Sequence, residues 1–198
     1  MIKGLAMGLA AAGAAAMLWT AGQAEAAVTV TGDGFAKACS EAAKAGQSAY
    51  SYEEICTAAL GDLLPARDRA GTYVNRGIIK LRRQAYAEAI KDFDTAIRYQ
   101  PDLAETYVNR GAADIGVRRF PDSIADLNKA LALGVQEPEK AYYNRAVAYE
   151  WMDKVKAAYL DYQKALELAP DWDLVKQQLA RFTVSHAEAR APAAPTHP

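Results

Sequence analysis

A period of 34 to 35 residues runs through the middle of this chain. Gly77 is followed by Gly111, a step of 111 − 77 = 34, and Gly111 by Ala146, a step of 146 − 111 = 35. The words around these small residues recur: Tyr73-Val74-Asn75-Arg76-Gly77, Tyr107-Val108-Asn109-Arg110-Gly111 and Tyr142-Tyr143-Asn144-Arg145-Ala146. Self-similarity at this spacing marks stacked helical hairpins, none of which can bury its apolar face alone. The fold class is therefore all-α, a helical-hairpin solenoid.

The units follow from the punctuation. The first, 70–103, reads as a helix from Ala70 to about Arg83, a turn at Gln84-Ala85 and a helix from Tyr86 to about Tyr99, ended by Pro101. The second, 104–138, turns near Arg118-Arg119, and its exit, Gly134-Val135-Gln136-Glu137-Pro138, is one residue longer than the first. The third is 139–170. Asp171 is placed to cap a last helix through about Val184, with Leu174, Val175, Leu179 and Phe182 as its apolar face. Residues 171–186 thus close the stack, and the Ala- and Pro-rich 187–198 reads as a disordered tail.

Residues 27–69 stand before the first unit. Ala27 to Gly32 reads as an extended leader. Asp33 is placed to cap a helix from about Gly34 to Ala45, and Ser51 with Glu54 to form a capping box for a second helix through Leu60. Asp102 with Glu105 gives the same signal before the second unit. Cys39 and Cys56 fall on the two N-terminal helices. Their separation is not that of a redox C-x-x-C, so they read as a structural staple if the compartment is oxidising, and as buried free thiols if it is not. This hairpin is read as a stapled cap or a degenerate first repeat, since a terminal repeat has one face in water.

Compartment is argued from residues 1–26. Lys3, the apolar run Gly4 to Trp19 and the small-x-small site Ala24-Glu25-Ala26 read as a secretory signal peptide. The alternative is an uncleaved anchor, and the cleavage motif favours removal. A periplasmic or secreted protein is expected, with no membrane span after cleavage.

The pattern resembles the tetratricopeptide repeat (TPR) family over Ala70 to Pro170. Small residues recur where paired helices cross: Gly77 with Ala89, Gly111 with Ser123, Ala146 with Ala158. Ala96, Ala130 and Ala165 match the position where repeats pack on their neighbours, and Phe93, Leu127 and Tyr162 fill the space between. Pro101 and Pro170 match the terminating proline, and Val135 departs from it. The resemblance implies a binding groove lined by first helices. Carried over by position, it would show Val74, Ile78, Leu81 and Arg82, then Glu105, Val108, Ala112 and Ile115, then Lys140, Tyr143, Val147 and Trp151. Such a groove suits an extended peptide or one face of a helix. Its other possible cover is the chain's own tail or last helix. Ile78, Ala112 and Val147 stand where a carboxylate-clamp TPR domain carries Asn, so that mode is not expected.

Three polar rows run beside the groove. Asn75, Asn109 and Asn144 either bond between adjacent helices, the favoured reading, or hold a peptide backbone. Arg76, Arg110 and Arg145 are matched by Asp92, Asp126 and Asp161, which suits bidentate pairing better than an anion-binding stripe.

Little supports catalysis. The two histidines, His186 and His197, lie at or beyond the last helix, and no phosphate loop, H-E-x-x-H or G-x-S-x-G occurs. No enzyme, metal site or cofactor is expected. A net charge of -1 argues against nucleic acid. The expectation is an exported scaffold that binds a peptide or protein partner in its groove. The alternative is a self-associating structural subunit of an envelope assembly. The sequence is silent on the partner and on oligomeric state.

Overall fold

The computed structural model describes residues 25–31 and 34–182. Among them every regular element is a helix: α1 (Phe35–Lys44), α2 (Tyr50–Gly61), α3 (Ala66–Arg82), α4 (Tyr86–Tyr99), α5 (Ala104–Gly116), α6 (Phe120–Ala132), α7 (Pro138–Trp151), α8 (Val155–Leu168) and α9 (Asp173–Ala180). They pair in sequence as hairpins, α1 with α2 through α7 with α8, and α9 packs on α8. First helices also meet across units, α3 with α5 and α5 with α7, which makes the array a solenoid. Residues 1–24 of the expected signal peptide, Gly32, Asp33, residues 183–186 of the expected last helix, and the tail lie outside the described residues. None of the described helices is long and apolar enough to cross a membrane.

One turn design recurs at five places. After α3, the Gln84 N–H donates to Leu81 O at 2.8 Å and the Ala85 N–H to Lys80 O at 3.0 Å. This is a Schellman closure, which satisfies the last carbonyls of a helix and needs a left-handed residue. Gln84 takes that role with φ 62°, as do Arg118 at 63° and Asp153 at 56° in the next two hairpins. Gly46 does so in the first hairpin and Gly134 at the exit of α6. The long exit thus has a reason. The Val135 N–H donates to Ala130 O at 3.2 Å, a bond that a proline at 135 has no hydrogen to make.

Helix starts depart from expectation. Ala49, Leu103 and Trp172 are the capping residues, not Ser51, Asp102 and Asp171, and none of the described helices has a side-chain cap. Backbone turns do the work: the N–H groups of Tyr52, Thr106 and Val175 donate to Ala49 O, Leu103 O and Trp172 O at 3.0–3.1 Å. Helix α3 begins at Ala66, ahead of the expected Ala70, directly after Pro65.

The crossings inside the hairpins are tight for the expected reason, with a different partner. A Cβ at Gly77 would lie 2.5 Å from Phe93 Cε1, and one at Gly111 3.0 Å from Leu127 Cγ. The glycines thus make room for the large residue of the second helix, not chiefly for Ala89 or Ser123. In the third unit Ala146 lies in one buried cluster with Ala158, Tyr162 and Ala165.

Each Arg row member pairs with its Asp. Arg76 Nε and Nη2 donate to Asp92 at 2.9 and 2.6 Å, Arg110 to Asp126 at 2.7 and 2.7 Å, and Arg145 to Asp161 at 2.7 and 2.8 Å. The remaining arm of each guanidinium reaches back to the preceding hairpin: Thr57 at 3.1 Å, Asp94 at 2.7 Å and Asn128 at 2.5 Å. The hydrogen bonds it donates to Asp126 raise the Arg110 guanidinium above its ordinary range, although burial opposes them. The rows are structural, and they tie repeat to repeat.

Cys39 and Cys56 form a disulfide with Cα atoms 4.8 Å apart, stapling α1 to α2. Closing a loop of 17 residues contributes about 3 kcal/mol in the chain-entropy model.

Candidate functional site: an asparagine ladder holding an extended strand

The extended segment 25–31 lies across the first helices of the repeats. Asn75 of α3 clamps one residue of it from both sides: the Val28 N–H donates to Asn75 Oδ1 at 3.0 Å, and Asn75 Nδ2 donates to Val28 O at 2.8 Å. Asn109 of α5 does the same to Ala26, at 3.0 and 2.9 Å. An amide side chain offers one donor and one acceptor, so it can imitate a neighbouring strand. Alternate residues of an extended chain lie about 6.6 Å apart and point the same way, so a row of Asn, one per repeat, takes every second residue. Asn75 and Asn109 are both fully buried under the segment and its surroundings. Their role is the backbone-holding one, not the helix-to-helix bonding favoured on sequence. Asn144 of α7 is the next member of the row and is likewise fully buried.

Further groups fix the segment. Ser40 Oγ of α1 donates to Val28 O at 2.9 Å and accepts from the Val30 N–H at 3.4 Å. Lys44 Nζ donates to Thr29 Oγ1 at 2.6 Å. Gly71 lets the segment lie close to α3, since a Cβ there would meet Val30 Cγ2 at 3.0 Å and Val28 Cγ1 at 3.1 Å. At the other end Lys140 Nζ donates to Glu25 O at 2.7 Å. Arg82 Nε lies 2.6 Å from Glu25 Oε2, and its Nη1 donates to Ala43 O and Gln47 O at the end of α1. The Glu25 side chain is 1% exposed. Burial pushes its carboxyl up to about 7, against the opposing pull of Arg82 and Lys140.

The expected groove residues divide sharply by exposure. Val74, Ile78, Leu81, Val108, Ala112, Ile115, Tyr143 and Val147 are buried, and only Trp151 is open, at 52%. Val74, Ile78, Leu81 and Ala112 belong to the core cluster on which Ala27 and Val28 pack. Tyr143 lies under Trp172, ring centroids 5.0 Å apart. Trp151 is stacked on Phe120 at 5.8 Å with the Arg118 guanidinium 4.9 Å from its ring. The N-terminal segment covers the groove at α3 and α5, which the sequence did not point to, and at α7 Trp172, which opens α9, lies on Tyr143, as expected of the last helix. Ser40 and Gly71 carried no sign of this role, because their partner is backbone and backbone has no residue signature. Among the described residues no cluster of His, Cys, Asp and Glu could hold a metal.

Comparison with known proteins agrees with this architecture. Residues 139–171 match the tetratricopeptide repeat family model. No curated protein matches the sequence. Among solved structures, the chain is similar to the Arabidopsis OM64 TPR domain at 25% identity and TM-score 0.56, over 59% of this chain and 96% of that one. It is similar to the first TPR of Spaghetti (RPAP3) bound to the HSP90 peptide SRMEEVD at 26% identity and TM-score 0.55, over 58% and 90%. Its likeness in fold to MamA, at 18% identity and TM-score 0.59, extends over 71% of this chain and 80% of that one. The chain thus carries a tetratricopeptide repeat at 139–171, within a TPR-type solenoid of three full repeats between a stapled N-terminal hairpin and a closing helix.

Proposed function

We propose that this protein is an exported scaffold whose concave groove binds an extended segment of a peptide or protein partner. The observation that carries the reading is the ladder itself: Asn75 and Asn109 each make two bonds to one residue of an extended backbone, and so recognise chain rather than sequence. The similar Spaghetti (RPAP3) TPR domain is bound to a peptide, which supports the same use of this architecture. Export is supported by the apolar run and Ala24-Glu25-Ala26, and by the disulfide, which persists in oxidising compartments.

The test is a pull-down from envelope extract with the exported chain and an Asn109→Ala, Asn144→Ala variant of equal helicity. Ile78 and Val108 are unsuitable, since both are fully buried and a glutamate there would break the core. A partner captured by the native chain and lost by the variant supports the reading. Equal capture by both places binding on another face. A mass that rises with concentration would then favour the self-associating subunit.

A further inference from the structure

We propose that the Ala26–Ala27 peptide bond is a processing site which the folded repeats lock, so that residues 1–26 can be removed only before the chain folds. The inference rests on the export reading above. The reaction is hydrolysis by an envelope peptidase. The bond from the Ala26 carbonyl carbon to the Ala27 nitrogen breaks, and the oxygen of one water goes to that carbon. A carboxylate is left on Ala26 and an ammonium on Ala27.

A peptidase that takes an extended substrate pairs with its backbone as a neighbouring strand would. In the folded chain those backbone groups are already taken on both sides of the scissile bond. Asn109 holds the N–H and carbonyl of Ala26, and Asn75 holds those of Val28. Ser40 Oγ also donates to Val28 O, and Lys140 Nζ to Glu25 O. The side chains are sheltered as well. Ala26, the last small residue of the cleavage motif, is 2% exposed, and Ala27 packs on the cluster of Val74, Ile78 and Leu81. Scission therefore needs residues 25–28 to leave the repeats, which breaks six hydrogen bonds. Each net bond weighs as a factor of about five in such an equilibrium.

The timing follows from where the clamps stand in the sequence. Asn109 lies 83 residues beyond Ala26, and Lys140 lies 115 beyond Glu25. Neither can act on a chain whose later repeats have yet to emerge and fold. The site is open while α5 and α7 are unformed, and it closes once they are in place. Two products result from the order of events. A chain cleaved first loses Glu25 and Ala26, which uncovers Asn109, while Asn75 and Ser40 still hold Val28 and Lys44 holds Thr29. A chain folded first keeps residues 1–26 attached and its own Ala26 on Asn109.

The test sets two substrates against each other in one digestion by purified bacterial leader peptidase in detergent. One is the full chain, made without export and oxidised to its disulfide. The other is a synthetic peptide of residues 15–32. Scission is read by mass, and circular dichroism in the same detergent checks that the repeats stay helical. The peptide should be cut between Ala26 and Ala27 roughly a hundredfold faster than the folded chain, or more. Asn109→Ala, folded to equal helicity, should be cut roughly tenfold faster than the native chain. Lys140→Met, which gives up the bond to Glu25 O, should be cut roughly fivefold faster and carries the test alone if Asn109→Ala does not fold. Equal rates for folded chain and peptide would overturn the proposal, and so would folded variants cut no faster than the native chain. Either result leaves the proposed function standing. A peptide left whole at Ala26–Ala27 would sink the cleavage part of the export reading, and this inference with it.

Discussion

Asn75 and Arg76 are neighbours in the chain, about 100° apart on helix α3, and they serve opposite ends. The arginine row turns inward. Every guanidinium meets an Asp of its own hairpin and a group of the hairpin before it, so its bonds begin and end within the repeats. Asn75 and Asn109 of the asparagine row turn to a backbone that belongs to no repeat. One row holds the array together, and the other is a set of bonds that any extended chain could accept. The lesson is that a polar residue recurring at every repeat is not thereby structural. What separates the two rows is whether a charge-matched partner recurs with it.

That contrast can be broken experimentally. Arg110→Ala should have the largest effect. It leaves Asp126 nearly buried without its partner and strips the tie to Asp94, and should cost about 3 kcal/mol in global stability by urea unfolding. That is the low end for a buried pair, because a quarter of the Arg110 side chain is exposed. An unchanged midpoint would show that the row is ornamental.

Asn109→Ala should instead act locally. Two bonds to Ala26 are lost, and the seating of the segment should weaken by on the order of 1–2 kcal/mol. Amide exchange in residues 26–30 of the uncleaved chain should rise while the exchange of α4 and α6 stays unchanged. Gly71→Leu, which drives a side chain into Val28 and Val30, should give the same local signature without touching the ladder. Global unfolding by either variant would merge the two rows into one.

The smallest effect is that of pH. The Glu25 carboxyl is raised from 4.5 to about 7 by burial, with Arg82 and Lys140 pulling the other way. A group raised on seating favours the seated state fully below its free value, and that contribution is lost as pH rises through about 7. Seating of the uncleaved segment should thus weaken by on the order of 1 kcal/mol from pH 6 to pH 8. A carboxyl-carbon NMR titration of Glu25 should find its midpoint near 7, and a midpoint near 4.5 would show that Glu25 is not sheltered.

Much of the fold was legible because its signals are side chains at a fixed period. The hairpins, the Gly77 and Gly111 crossings, the Arg–Asp pairs and the cysteine staple all have both partners written in the sequence. The helix starts were misread for the opposite reason. Ser51, Asp102 and Asp171 are good cap residues, but the chain closes those turns with carbonyls that every residue possesses. The groove's apolar members were assigned from position alone; Val74, Ile78, Leu81 and Val108 are fully buried, and Ala27 and Val28 pack on the cluster of the first three. The partner of the ladder was not legible, since Ala26 and Val28 are met through their backbones.

The backward reach of each arginine has a mechanical consequence. A repeat whose guanidinium is anchored in the hairpin before it cannot detach without disturbing that hairpin, and each unit in turn is held by the one that follows. Pulled from its C-terminal end, such an array should resist as one body and then give way in a single rip, where loosely coupled repeats would peel off one at a time as a sawtooth.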